Sequence, residues 1–287
     1  MREFDEQTLT QAVLERAAGA PDARLRGILE SLVRHLHGFV REVRPSWEEW
    51  RSGIEFLTQT GQKCDSKRQE FILLSDTLGV SMLVDLLNYG KHPGSSESTV
   101  LGPFYVEGAP EIRIGGSIAK PGTPGEAAIV SGSVKSIDGA PVADAVLDVW
   151  ESGTDGRYDV QKEEGTNLRG RLRADPSGRF WFRAIIPTPY PVPTDGPVGA
   201  MLNATRRHPM RPGHLHFAIR APGYRPLITH LFTSGDEYLD SDAVFAVKQS
   251  LVVEYERIVS AETAARFGLA GPFWRVSYDF VLVPEGK

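Results

Sequence analysis

Residues 91–99 read Lys-His-Pro-Gly-Ser-Ser-Glu-Ser-Thr, a run of turn-forming and polar residues, and the chain changes character on either side of it. Of the 20 prolines, only Pro21 and Pro45 precede this run. Proline removes a helical hydrogen bond and clashes with the preceding turn, but it suits turns and strand edges. The first third therefore reads as helical and the remainder as strands. Before the run, Leu25, Ile28, Leu29, Leu32, Val33, Leu36, Phe39 and Val40 recur at spacings of three and four, one face of a helix. Ser46 and Glu49 stand at capping-box spacing ahead of Trp50, Ile54 and Leu57. Two more helices are expected at about 66–78 and 80–89, the first capped by Asp65 or Ser66. Residues 1–90 should hold four or five helices.

After the run, short apolar-alternating segments are separated by Gly and Pro. AIVSGSVKS (128–136) and AVLDVW (145–150) flank Asp138-Gly139, a hairpin-type turn. RFWFRAI (179–185), HLHFAIRA (214–221), LITHLFTS (227–234) and FWRVSYDFVLV (273–283) complete the set. Such a series predicts a mainly β fold, an antiparallel β-sandwich over 96–287 joined to a helical region at 1–95. Residues 242–258 fit either helix or strand.

The chain has 287 residues, 41% of them hydrophobic, which supplies a sizeable core. A net charge of −5 argues against a general grip on nucleic acid, which needs a basic surface. No stretch approaches the roughly 18 apolar residues of a membrane span. The start, MREFDEQTLT, lacks the apolar segment of a secretory signal, so a cytoplasmic protein is expected. The lone Cys64 excludes an internal disulfide and any multi-cysteine zinc or iron–sulfur site.

His214 and His216, in RPGHLHFAIR, carry the most chemistry. On a strand, residues i and i+2 face the same way, so the two imidazoles project side by side while Leu215 and Phe217 face the opposite layer. The equal spacing of His35 and His37 falls on a helix, where two residues advance by about 200° and the rings diverge. Arg211 places a permanent cation three residues before the pair, suited to an anionic ligand. Two tyrosines have unusual settings: Tyr158 follows a Gly-containing turn in ESGTDGRYDV, and Tyr190 is held among alternating prolines in IPTPYPVP. Phenols have a pKa near 10, so only a strongly Lewis-acidic ion holds two as phenolates at neutral pH. Two phenolates and a hydroxide would balance the charge of Fe(III), whereas zinc has no reason to prefer tyrosine.

GRYD (156–159), Pro-Tyr-Pro (189–191) and RPGHLHF (211–217), in this order, resemble the intradiol ring-cleavage dioxygenases, non-haem Fe(III) enzymes that open catechols between their two hydroxyl carbons, and APGYRPLITHLF (221–232) and LGPFYVEGAP (101–110) match as well. The resemblance extends over nearly the whole chain. It implies Tyr158, Tyr190, His214 and His216 as ligands of one Fe(III) per subunit, with Tyr190 the ligand that substrate displaces. It also implies Arg211 as the cation beside the bound ring, with Leu73, Asp76, Val100, Leu101, Gly102 and His230 around it. The family's helical region forms the dimer interface and often holds a lipid between subunits.

Within that family the sequence leans toward hydroxyquinol (benzene-1,2,4-triol) 1,2-dioxygenases. Catechol cleavers resemble it at LLSD (73–76) but usually carry proline where Asp76 stands; an acid there could accept a hydrogen bond from a third ring hydroxyl. They typically carry glutamine at His230, which reads as polar support behind the ligands. The expected reaction inserts both atoms of O2 to give 3-hydroxy-cis,cis-muconate, or maleylacetate after tautomerisation, as a step in aromatic degradation. The alternatives are a catechol or chlorocatechol 1,2-dioxygenase, a zinc hydrolase built on the His pair, and a sandwich-type binding module using the Pro-rich loop.

Overall fold

The computed structural model describes residues 3–66, 68–90, 92–162 and 165–286. By compactness the chain divides into residues 1–58 and 59–287. Its first five helices are α1 (Thr8–Ala17), α2 (Ala23–Val43), α3 (Trp47–Gln62), α4 (Glu70–Thr77) and α5 (Val80–Tyr89). The carboxylate of Asp22 caps α2 by accepting the N–H groups of Arg24 and Leu25. Ser46 and Glu49 form the expected reciprocal capping box before α3: Ser46 N–H donates to Glu49 Oε2 at 2.7 Å and Glu49 N–H to Ser46 Oγ at 3.2 Å. The helix expected from residue 66 starts later, at Glu70. Asp65 accepts the Arg68 N–H at 2.8 Å and so closes a turn ahead of α4 instead of capping it.

The strands are β1 (Ala127–Ser136), β2 (Val146–Trp150), β3 (Arg169–Arg173), β4 (Arg179–Ile185), β5 (Tyr190–Pro191), β6 (Met210–Arg211), β7 (His214–Arg220), β8 (Leu227–Thr233), β9 (Val252–Val253), β10 (Glu256–Ile258), β11 (Phe273–Ser277) and β12 (Phe280–Leu282). Helix α6 (Pro197–Ala204) lies between β5 and β6, and α7 (Ala261–Arg266) precedes β11. One sheet runs β3-β2-β7-β8-β9; the other runs β10-β11-β1-β12, with β4 also paired to β1. Val130, Val134, Phe180, Phe182 and Phe280 of one sheet meet Leu147, Leu172, Leu215, Phe217 and Ile219 of the other in a single core. Each fully buried Leu or Phe there contributes about 1.5–3 kcal/mol. Two facing sheets make the predicted sandwich.

The sheets are mixed, not purely antiparallel as expected. β1 pairs in parallel with β11 and β12, and β8 with β9. These partners are far apart in sequence, so no hairpin dictates their relative direction. Nor do the segments around Asp138-Gly139 pair with each other. The turn forms, with Ser136 N–H donating to Ala140 O at 2.8 Å, but Asp144 then adopts a left-handed φ of 56° and β2 enters the opposite sheet. The run 273–283 is two strands. At the break, Tyr278 N–H bonds Ser131 O and the Asp279 carboxylate takes the N–H and hydroxyl of Ser133. Gly132 is required there, because a Cβ would lie 1.8 Å from Tyr278 O. Residues 242–258 are loop, one short helical turn at 249–251, and the short β9 and β10. Strand β3 escapes an apolar-alternation reading because Arg and Gly occupy four of its five positions.

Candidate metal centre

Strand pairing assembles the first part of the site. His216 on β7 is opposite Trp150 on β2 and opposite His230 on β8. Leu215, Phe217 and Leu231 point into the inter-sheet core, so alternation turns His214, His216 and His230 to the other face, where all three are fully buried. The predicted side-by-side projection of His214 and His216 is what the register gives, with their Nε2 atoms 3.1 Å apart.

Two loops deliver the tyrosines. Tyr158 opens a short helical turn at 159–161, where its N–H donates to Gln161 Oε1 at 2.9 Å. Gly156, at φ 74°, lets this loop pass close to Tyr190: a Cβ would lie 3.0 Å from that of Tyr190. The Pro-rich segment is extended, and Tyr190 on β5 pairs with Arg211 on β6. The ring of Phe104 stacks on Tyr158 at 4.7 Å. Behind it Asp159 and Arg169 form a buried ion pair, and Arg169 Nη2 also donates to Phe104 O at 3.2 Å.

Four donor atoms from residues 158–216 converge. The Tyr158 hydroxyl lies 2.8 Å from the Tyr190 hydroxyl and 2.8 Å from His216 Nε2, and the Tyr190 hydroxyl lies 3.3 Å from His214 Nε2. His214 Nδ1 meets Pro212 O at 2.7 Å; it must be the protonated nitrogen, which leaves the Nε2 lone pair facing the cluster. Burial, followed by Arg211, holds His214 well below its ordinary pKa; burial and then the neighbouring histidines do the same for His216. Both are therefore neutral donors. Burial pushes Tyr158 well above its ordinary value, and Tyr190 upward too, against the pull of Arg211.

This donor set fits a cation. Two ligands at about 2.0–2.1 Å from a shared ion, at angles of 90–110°, are separated by about 2.8–3.4 Å. The four donors already stand at such separations. Two buried phenols cannot both ionise without added positive charge, so a hard, highly charged ion suits them better than zinc. His230 belongs to the same histidine cluster, its ring centroid 4.1 Å from that of His216. Its Nδ1 bonds Thr99 Oγ1, and its Nε2 has no hydrogen-bond partner among the described residues.

Arg211 is buried against the cluster, with Nη1 3.1 Å from His214 Nε2. Asp242 grips it with both oxygens, from Nε at 3.0 Å and from Nη2 at 3.3 Å. Burial opposes the Arg211 charge, but Asp242 more than offsets it and raises the guanidinium pKa. Asp76, near the end of α4, is 2% exposed, and its Oδ1 has no partner among the described residues. Burial pushes its pKa up to about 6, against the pull of Ser81 and Arg211. Leu73, one turn earlier on α4, is buried, as is Val100; Leu101 packs with Phe104, Trp150, Tyr158 and Tyr190. Gly102, at φ 75°, rests on the site: a Cβ there would sit 3.4 Å from His216 Cε1. Sequence reading missed Trp150, Thr99, Arg169 and Asp242. Only Trp150 had a local signal, as an aromatic ending a strand that runs into the Tyr158 loop.

A family model described as "Dioxygenase" matches residues 100–284, and one described as "Catechol dioxygenase N terminus" matches residues 22–96. The chain belongs to the intradiol ring-cleavage dioxygenases. Members of this family use non-haem iron, for which the buried histidine cluster is the candidate site. This intradiol dioxygenase is 51% identical over 286 residues to the 6-chlorohydroxyquinol 1,2-dioxygenase of Cupriavidus pinatubonensis, covering 99% of each chain. It is 48% identical to the hydroxyquinol 1,2-dioxygenase of a Rhizobium species, covering 97% of this chain and 96% of the relative. A crystal structure of hydroxyquinol 1,2-dioxygenase from Pseudomonas putida superposes with a TM-score of 0.89 at 49% identity, covering 98% of this chain and 99% of that one. The catechol 1,2-dioxygenase of Acinetobacter radioresistens reaches a TM-score of 0.88 at 28% identity, covering 100% and 96%.

Proposed function

We propose that this intradiol dioxygenase cleaves hydroxyquinol (benzene-1,2,4-triol), inserting both atoms of O2 to give 3-hydroxy-cis,cis-muconate, which tautomerises to maleylacetate. One Fe(III) per chain is held by Tyr158, Tyr190, His214 and His216, and the convergence of their four donor atoms is the observation that carries this reading. An iron ion held by these four residues would supply Lewis acidity, making a catechol-type ring bound there more reactive toward O2. The protein's own groups bind and orient. Tyr190 lies beside Arg211 and takes a proton from a substrate hydroxyl at its phenol oxygen when the ring binds. Arg211, fixed as a cation by Asp242, stabilises negative charge developing on the ring oxygens.

Asp76 Oδ1, buried and without a partner among the described residues, supports recognition of a third ring hydroxyl. Leu73, Val100, Leu101 and Gly102 supply apolar walls, and His230 supports the ligands from behind. The names of the relatives favour the triol, and that of the Cupriavidus enzyme also places a halogenated ring among the substrates to compare. Residues 1–95 serve as dimerisation and linker region and 96–287 as the catalytic domain. The exposed Leu25, Leu29, Leu32, Leu36 and Phe39 on α2 support a second copy, with a lipid, as the partner of that region. Among the described residues no helix is long and apolar enough to cross a membrane, and a cytoplasmic setting is part of the proposal.

The test is oxygen uptake by iron-loaded protein with benzene-1,2,4-triol, catechol and a halogenated catechol. Wine-red protein and a preference for the triol are expected. A colourless iron-replete protein would remove the tyrosines from the site, and faster turnover of catechol would remove Asp76 from substrate recognition.

A further inference from the structure

Arg207 lies outside the cluster of donors, yet its guanidinium joins the two segments that carry Asp76 and Asp242. Nη1 donates to Thr77 O at 2.7 Å, and Nη2 donates to Ala243 O at 3.1 Å. Thr77 immediately follows Asp76, and Ala243 immediately follows Asp242, so one planar fork ties together the backbones behind the two acids whose charges act on Arg211. We propose that Arg207 is a positioning residue that sets Asp76 and Arg211 at a fixed separation and thereby sets selectivity for the ring's third hydroxyl. This rests on the reading of Asp76 as the acceptor for that hydroxyl.

The surroundings explain why an arginine suits the place. Thr77 ends α4, where carbonyls lack intrahelical partners and a cation is favoured. Arg207 follows the turn that ends α6, and its own N–H donates to Leu202 O at 2.9 Å. The start of α4 is tied to α6 as well: fully buried Glu70 accepts the Val198 N–H at 3.2 Å. Gly196 leaves the room for this, since a Cβ would lie 2.4 Å from Glu70 Oε1. The segment from α6 to Arg207 therefore holds α4 at both ends, Val198 at its start and Arg207 at its end, and the same guanidinium extends the grip to the Asp242 loop. That loop is itself constrained. Asp242 accepts the N–H groups of Val244 and Ala246, and Phe245, at φ 60°, lies under the Arg207 guanidinium with 5.2 Å between them. A lysine offers a point charge that cannot reach both carbonyls in one fixed geometry.

The test compares iron-loaded Arg207→Met, Arg207→Lys, Asp76→Ala and the Asp76→Ala/Arg207→Met double variant with the native enzyme. A cavity of about 510 Å³ beside Arg207 lets either side chain fit without crowding. kcat and KM are measured with benzene-1,2,4-triol and with catechol, and iron content, visible colour and thermal midpoint are recorded for each protein. Arg207→Met should raise KM for the triol by about tenfold and lower the triol-to-catechol ratio of kcat/KM, with iron and colour retained; Arg207→Lys should fall between it and native. The double variant should be no less selective than Asp76→Ala alone, because the two act on one contact. If Asp76→Ala leaves the ratio unchanged, the reading of Asp76 fails and the route through Thr77 fails with it. If Asp76→Ala lowers the ratio while Arg207→Met leaves it unchanged, or lowers both substrates equally together with iron content, the inference about Arg207 alone is overturned.

Discussion

The indole of Trp150 lies flat on the imidazole of His216, with ring centroids 4.6 Å apart and planes 13° apart. His214 is oriented by a hydrogen bond from Nδ1 to a backbone carbonyl, but His216 Nδ1 has no partner among the described residues. Packing against Trp150 therefore does for His216 what a hydrogen bond does for its neighbour. Trp150→Leu removes the flat surface and should weaken iron binding by about tenfold, the low end for lost support of a ligand. Titration of the iron-loaded protein with a chelator measures this; unchanged affinity would mean that the strand alone orients His216.

Asp242 and Arg211 are both more than nine-tenths buried and share a two-point ion pair. Removing one partner strands the other as an uncompensated buried charge. Asp242→Ala should cost about 3–5 kcal/mol in urea unfolding of the iron-loaded enzyme. Asp242→Asn should cost less, because its amide oxygen can still accept one of the Val244 and Ala246 N–H groups, which bond different oxygens of Asp242, yet it should still raise KM by loosening Arg211.

Asp76 titrates near 6 because burial disfavours its charge. Its carboxylate accepts a hydroxyl hydrogen bond best when ionised, above that value. KM for benzene-1,2,4-triol should therefore rise as pH falls through about 6, while KM for catechol stays flat over the same interval. In Asp76→Asn the two profiles should run parallel. Steady-state kinetics between pH 5 and 8 decide the matter.

Glu151 is 1% exposed; Oε1 accepts the Ile185 N–H at 3.1 Å, while Oε2 has no partner among the described residues. Burial pushes its pKa well above the ordinary range. The folded chain thus keeps a proton that the unfolded chain releases. The stability this contributes is complete below the unfolded pKa, about 4.3, and is lost as pH rises toward the folded pKa, at up to about 1.4 kcal/mol per pH unit. Glu151→Gln should flatten the fall in thermal midpoint between pH 5 and 8 and be the more stable protein at pH 8. An unchanged slope would place the proton elsewhere.

The amino-acid sequence by itself marked the converging donors: alternation on a strand put the two histidines on one face, and the ordered motifs that resemble the family pointed to the two tyrosines. His214 and His216 had to share a face wherever β7 went, and Ser46 and Glu49 had to cap α3. Tertiary structure alone decided what lies beside them. Trp150, Asp242 and Arg207 act through partners 31 to 130 residues away or across a sheet, and no local pattern announces such pairings. Strand direction was decided at the same level: β1 meets β11 and β12 in parallel because distant segments are matched by buried faces, not by turns. The physical reason is range, since propensity and periodicity act over a few residues, whereas burial and charge neutralisation are settled only when the whole chain closes around them.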